Sequence, residues 1–388
     1  MNKIETLIQQ LCPNGVEFRE LGEVIEIYTG TQFNKSEMQE VGEFPCMNGG
    51  IGVSGYTDKW NESENTITIS QGGASAGYVN WILSKFWAGA HCYVIRPTSK
   101  ELDKRYLYFF LKNMETKIME LKHGAGIPGL NREKIKSLQI PIPPLPVQQE
   151  IVNILDKFTS LEAELEAELE ARRTQYEHYQ NQLLTVNDKC LMSKSLGEIG
   201  TLVRGNGLQK KDFTESGVGC IHYGQIYTYY GTFTDKTKSF VLPDLAEKLQ
   251  KVEKGDLIIA NTGENVEDIC KTVAWLGDET IVTGGHSTIF KHKQNPKYLA
   301  YYFQTKDFFD QKRKVAKGTK VIEVAPKDLE KIKIPIPPIE EQNRIVAILD
   351  EFDALVNDIS VGLPAEIKMR RQQYEYYRNK LLTFKAAV

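Results

Sequence analysis

The chain is built twice from one pattern. Residues 140–161, IPIPPLPVQQEIVNILDKFTSL, return 194 positions later as residues 334–355, IPIPPIEEQNRIVAILDEFDAL. Residues 172–185, RRTQYEHYQNQLLT, return as residues 370–383, RRQQYEYYRNKLLT, at an offset of 198. Upstream, Leu21-Gly22-Glu23-Val24 recurs as Leu196-Gly197-Glu198-Ile199. A period this long excludes a solenoid of small repeats and sets the architecture as one module used twice. At 388 residues the chain also exceeds one ordinary domain.

Each module opens with short apolar runs separated by glycines and turn residues, such as ENTITISQGG and AHCYVIRP in the first and GDLIIANTG and ETIVTGG in the second. These read as short strands, with one helical stretch per module at KRYLYFFLKNMETKIMEL and PKYLAYYFQTKDFFDQKRK, an α+β fold. The prolines of IPIPP then enforce an extended segment. A long helical pattern follows. In the first copy its apolar positions are Ile151, Leu155, Phe158, Leu161, Leu165, Leu169, Tyr176, Tyr179 and Leu183. In the second they are Ile345, Leu349, Phe352, Val356, Ile359, Leu363, Ile367, Tyr374, Tyr377 and Leu381. Steps of three and four describe a coiled-coil seam whose expected partner is the other copy. The helix and subunit interface is therefore assigned to Ile151, Leu155, Phe158, Leu165, Leu169, Tyr176, Tyr179, Ile345, Leu349, Phe352, Ile359, Tyr374 and Tyr377. Pro364 predicts a kink or short break near residues 360–364 of the second helix.

These signals divide the chain into an arm and first globular domain (1–146), a spacer helix (147–187), a second globular domain (188–338) and a second spacer helix (339–388). The arm at residues 1–20 is expected to pack against the second half of the molecule, closing a circle. Charge follows the division. The net −3 comprises −5 on residues 147–187 and +4 on residues 188–338, with −1 on each remaining segment. A polyanion would meet the globular parts, while the helices offer an acidic spacer or protein-binding surface. Bulk charge alone excludes nothing but non-specific, strongly basic nucleic-acid binding. No apolar run is long enough for a membrane span and the first residues lack a signal-peptide pattern, so a cytoplasmic chain is expected. The six cysteines have no CxxC spacing, which fits neither a disulfide scaffold nor a zinc site.

Three repeated features are candidates for nucleic-acid contact. An early glycine-bearing polar loop carries Thr31, Gln32, Asn34 and Lys35 in the first module and Arg204, Asn206, Gln209, Lys210 and Lys211 in the second. Asn and Gln can pair with adenine, and Lys or Arg can reach guanine or phosphate; a solvated turn has the same composition. A late glycine loop, Gly124-Ala125-Gly126-Ile127 and Gly318-Thr319-Lys320-Val321, lies among cations: Lys122 and His123 in one copy, Lys312, Arg313, Lys314, Lys317 and Lys320 in the other. That suits phosphate contact, and also suits a helix C-terminus with dipole-favoured lysines. His91 and His286 share a Gly-x-His pattern that reads first as a hydrogen-bonded structural histidine, with base contact second and metal ligation remote. Tyr223, Tyr227, Tyr229 and Tyr230 could stack on bases or pack internally. No phosphate loop, HExxH, G-x-S-x-G or methyltransferase tetrapeptide occurs.

The N-terminal LIQQLCPNGVEFRELGEV, the two IPIPP…Q…IV.ILD.F..L segments and the two RR.QYE.Y…LLT endings resemble the specificity subunit of type I restriction–modification systems, over nearly the whole chain. The resemblance implies two target recognition domains held by two antiparallel helices with pseudo-two-fold symmetry. Each domain would read one half of a split, asymmetric site in double-stranded DNA. It also implies no catalysis on this chain. Two modification (methyltransferase) subunits would dock on it, two restriction subunits can join, and S-adenosylmethionine, ATP and Mg would be held by those partners. The rival readings are a stand-alone nuclease or methyltransferase, and a coiled-coil scaffold with no DNA function.

Overall fold

A computed structural model describes residues 3–124, 128–185, 193–357 and 361–387. It forms two compact units, one of residues 1–166 with 366–388 and one of residues 167–365.

In the first unit, strands Ile25–Thr29, Cys92–Pro97, Thr66–Ser70 and Val79–Ile82 lie in that order in an antiparallel sheet. Thr66–Ser70 is buried at every position, which explains its β-branched sequence TITIS. A smaller sheet joins Gly55–Thr57, Phe44–Met47 and Trp87–Ala88, the last pair parallel. Helix Lys104–Asn113 covers the larger sheet with Tyr106, Leu107, Phe109, Phe110 and Leu111. Asp103 caps it by accepting from the backbone N–H groups of Arg105 and Tyr106. The second unit repeats this plan with Gly200–Arg204, Ser287–His292, Leu257–Ala260, Thr272–Trp275 and Phe233–Thr234 in one sheet. Ser239–Val241, Val218–Ile221, Ile281–Thr283 and Gln250–Val252 form the other.

The IPIPP segments are extended for a second reason besides their prolines. Gln139–Pro141 pairs with Phe18–Glu20, and Lys333–Pro335 with Ser193–Ser195, so each module is closed by a two-stranded clasp. Helix Leu145–Leu184 then runs for 40 residues. In the second copy the pattern is carried by two helices, Ile339–Asn357 and Leu363–Leu381, with Pro364 in the first turn of the latter, where its missing N–H costs nothing. Ile359 lies outside the described residues.

The seam is shared differently from a simple helix pair. Ile151, Leu155, Ile345 and Leu349 are fully buried, but among the cores of their own modules. The first turns of each helix have to cover the module's aromatic helix, so that face is taken. Inter-helix contact lies further along. In the first unit Phe158 stacks on Tyr377 (5.5 Å) and meets Tyr374 (6.2 Å), while Arg371 pairs with Glu162 (2.6 Å) and Glu166, an antiparallel register. In the second unit Tyr176 and Tyr179 meet Phe352 at 6.3 and 5.6 Å. Leu165 and Leu169 are only half-buried, and Tyr179 and Tyr377 are a little over one third exposed, at 38% and 37%.

The arm meets the far end of the chain. Helix Lys3–Leu11 buries Ile4 in the first core, and the N–H of Val16 donates to the Lys385 carbonyl while the Ala387 N–H donates to the Val16 carbonyl, each at 2.9 Å. Among the described residues no helix is long and apolar enough to cross a membrane, no group of His, Cys, Asp and Glu is placed to hold a metal, and five cysteines are buried and free.

Candidate nucleic-acid interface

Antiparallel register brings three segments out at one end of each large sheet. Thr29 lies opposite Tyr93 and Ser70 opposite Cys92, so the early loop, Gln71-Gly72 and the Gly-x-His turn emerge together. The late loop folds back onto them. Gly129 bridges both Gly72 and His123, and the N–H of Leu130 donates to the Gln71 carbonyl at 2.8 Å. The result is an open cleft of about 580 Å³ lined by Thr29, Gln71, His91, His123, Asn131 and Arg132 among others, with no carboxylate in its wall. Such a wall can donate to phosphate and pair with base edges.

The second unit repeats the geometry with other chemistry. Arg204 lies opposite Thr288 and Ala260 opposite Ser287, and the late loop pairs as Thr262 with Glu323 and Gly263 with Ile322. A cleft of about 390 Å³ is lined by Tyr223, Tyr227, Thr262, Glu264, Asn265 and Asp268 with Val321. Its two carboxylates can accept from amino groups on bases, such as N4 of cytosine. Beside it, the His286 ring lies 4.8 Å from the Tyr223 ring, and its Nδ1 is 3.1 Å from the Thr262 hydroxyl. Neighbouring His222 is held below the ordinary imidazole range by burial, with Lys210 and His286 adding repulsion.

The other candidates divide by what their side chains already hold. Thr31, Gln32, Asn34 and Lys35 are exposed on a loop whose base is fixed by Trp87: its indole N–H donates to the Thr31 carbonyl at 2.9 Å and its ring lies 5.0 Å from that of Phe33. Asn34 donates to Glu37 at 3.3 Å. Gln209, Lys210, Lys211, Lys314 and Lys320 are exposed. Lys122 is half-buried. Arg204 is engaged within the fold, pairing with Glu323 at 2.7 Å and donating to the Gly285 carbonyl at 3.1 Å, so it ties the early loop to the Gly-x-His turn and the late loop. The Asn206 amide donates to the Lys248 carbonyl (2.9 Å) and accepts from the Gln250 N–H (3.1 Å), pinning the early loop to a strand. Lys317 and Lys331 both pair with Asp328, whose carboxyl they hold down at about 2.

Lys312 corrects the expectation of a surface cation cluster. It is buried and donates to the carbonyls of Glu267 and Ile269 at 2.8 and 2.6 Å, because its helix turns that face inward. Tyr230 is buried, with its hydroxyl accepting from the Lys238 N–H at 2.7 Å, and Tyr229 is exposed under the Lys238 ammonium. Ala125, Gly126 and Ile127 lie outside the described residues. Gln71, Asn131, Arg132, Glu264 and Asn265 escaped the sequence reading because they sit in unrepeated loops, and only register places them at the cleft.

The family model described as type I restriction modification DNA specificity domain matches residues 13–171 and again 191–369. A putative type I restriction enzyme specificity subunit of Haemophilus influenzae is 31% identical, covering 99% of this chain and all of the relative. The EcoR124I/EcoR124II specificity subunit of Escherichia coli is 28% identical over 99% of this chain and 98% of its own length. Among solved structures, a type I restriction–modification S subunit from M. genitalium has the same fold, with a TM-score of 0.61 at 21% identity over 95% of this chain and 96% of that one.

Proposed function

The chain belongs to the type I restriction–modification DNA specificity family, and from that premise we propose that its two clefts read the two halves of a split, asymmetric site in double-stranded DNA. One observation carries this reading: in both modules an open cleft lies where the late loop meets the turn after the buried central strand, once with a wall free of carboxylates and once with Glu264 and Asp268 in it. Equivalent frames with unlike walls read unlike sequences. The helices set the gap between the half-sites and present the surface on which two modification subunits dock. Those subunits hold S-adenosylmethionine, and two restriction subunits with ATP and Mg complete the nuclease form. The chain itself selects the site and leaves the chemistry to its partners.

Methylation mapping of DNA from cells co-expressing the chain with its cognate modification subunit tests the proposal. The expected result is two short, different half-sites at a fixed gap. A single undivided motif would leave one cleft without a reading role, and methylation by the purified chain alone would overturn the division of labour.

A further inference from the structure

The smaller sheet of each module places one more segment beside the cleft. In the first module strand Phe44–Met47 runs parallel to Trp87–Ala88 and delivers the chain into Asn48-Gly49-Gly50-Ile51-Gly52-Val53-Ser54. The base of this loop is held tightly. The Ser75 hydroxyl donates to the Gly49 carbonyl at 2.8 Å, the Ser70 hydroxyl to the Gly50 carbonyl at 3.2 Å, and the Ser54 N–H to the Cys46 carbonyl at 2.8 Å. Gly49 has φ +85° and lies so close to His91 that a Cβ there would sit 2.6 Å from the His91 carbonyl oxygen. His91 is in turn part of the cleft wall. The tip is the opposite case: a Cβ on Gly52 would meet nothing. On this anchored but unpacked tip Ile51 is 59% exposed, and Val53 is 47% exposed.

A single exposed aliphatic residue needs no explanation. Here, however, the loop's hydrogen bonds fix its base against the cleft, and its tip presents branched aliphatic groups to solvent beside a wall that carries Gln71, His91, Asn131 and Arg132. On a duplex, the apolar feature that carries sequence information is the C5-methyl of thymine in the major groove. The second module delivers something else at the same place: Val218–Ile221 runs parallel to Ile281–Thr283 and leads into His222 and helix Tyr223–Thr228, which puts the Tyr223 ring against His286.

We propose that Ile51 is a specificity-determining residue of the first module, contacting a thymine methyl within its half-site. This rests on the DNA-reading role proposed above. The test uses the full chain in complex with its cognate modification subunit and duplexes in which each thymine of the mapped site is replaced in turn by deoxyuridine. In the parent complex one replacement, in one half-site, should weaken binding about fourfold, the effect of removing one buried methyl. In Ile51→Ser and Ile51→Ala complexes that replacement should have no effect, the other half-site should be read as before, and thermal unfolding should match the parent because the side chain is exposed. A half-site without an A·T pair, or variants with the parent's motif and deoxyuridine profile, would overturn the assignment to Ile51 while leaving the bipartite reading intact. A parent complex that yields no bipartite motif would overturn both.

Discussion

The backbone N–H of Asp103 donates to the side-chain oxygen of buried Gln148 at 2.8 Å, and in the second module the N–H of Asn295 donates to Gln342, 194 residues after Gln148, at 2.9 Å. The amide nitrogen of Gln148 donates to the carbonyls of Glu101 and Pro143, each at 2.7 Å; that of Gln342 donates to the Pro337 carbonyl and to Gln294 at 2.8 Å. One side chain thus fastens the proline turn, the first turn of the spacer helix and the cap of the module's aromatic helix. Gln148→Leu removes the partner of one part-buried donor and of two acceptors, so it should destabilise the first unit by about 2 kcal/mol. Urea unfolding of the parent and variant checks this, and a change within the error of the extrapolation would mean that the clasp holds without the amide.

Gly77 and Cys270 occupy equivalent positions, each donating its N–H at 2.8 Å to the last residue of the preceding strand, Ser70 or Ala260. Both have left-handed backbones, with φ +96° and +64°. At Gly77 a Cβ would sit 2.8 Å from the Met119 Cα, a backbone atom that cannot yield cheaply. Gly77→Ala should therefore cost upwards of about 2 kcal/mol. Cys270→Gly, which relieves backbone strain while losing a buried thiol, should cost markedly less. Paired thermal denaturation curves distinguish these outcomes.

Burial holds the imidazole of His292 neutral, with its pKa pushed down to about 4. In the unfolded chain a histidine titrates near 6.5. Between those values the unfolded state binds a proton that the folded state refuses. Stability is thus complete above about pH 6.5 and falls as pH drops toward 4, by on the order of 3 kcal/mol for this group. His222 is shifted in the same direction, so His292→Gln should flatten the pH dependence without abolishing it. Unfolding free energies at pH 7 and 4.5 for parent and variant measure the difference.

Exposed Lys211 and Lys320 should behave as phosphate contacts, and Asn206 should not. Lys211→Ala or Lys320→Ala in the assembled complex is expected to weaken binding to all duplexes alike and reduce the slope of log K against log salt by about 1. Asn206→Ala should lower the stability of the second unit and leave that slope unchanged. Salt-dependent binding isotherms on cognate and scrambled duplexes decide between the two behaviours.

The stretch LEAELEAELEA at residues 161–171 lies wholly within helix Leu145–Leu184. Inserting one further Leu-Glu-Ala-Glu adds about 6 Å of helix, against a rise of about 3.4 Å per base pair. The mapped gap should lengthen by one or two base pairs with both half-sites unchanged. An unchanged gap would show that the helix is not the ruler.

The sequence by itself determined the duplication, the α+β modules, the long helical segments and their break near Pro364, because each depends on periodicity or on residues with one conformational habit. It also marked Phe158, Tyr374 and Tyr377, and Tyr176, Tyr179 and Phe352, as apolar helix positions, and the structure brings each set together within its own unit. Only the tertiary structure decided that Ile151, Leu155, Ile345 and Leu349 serve their own modules' cores, since a 3–4 pattern marks a buried face without saying what buries it. The clefts were beyond the sequence for a related reason. Strand register carries Thr29, Gln71, His91 and Arg132 to one place from loops far apart in the chain and ties Arg204 to Glu323, while the packing of helix Lys306–Val315 buries Lys312. Side-chain type tells what a residue can offer; which partner receives it is fixed by pairings that no local pattern records.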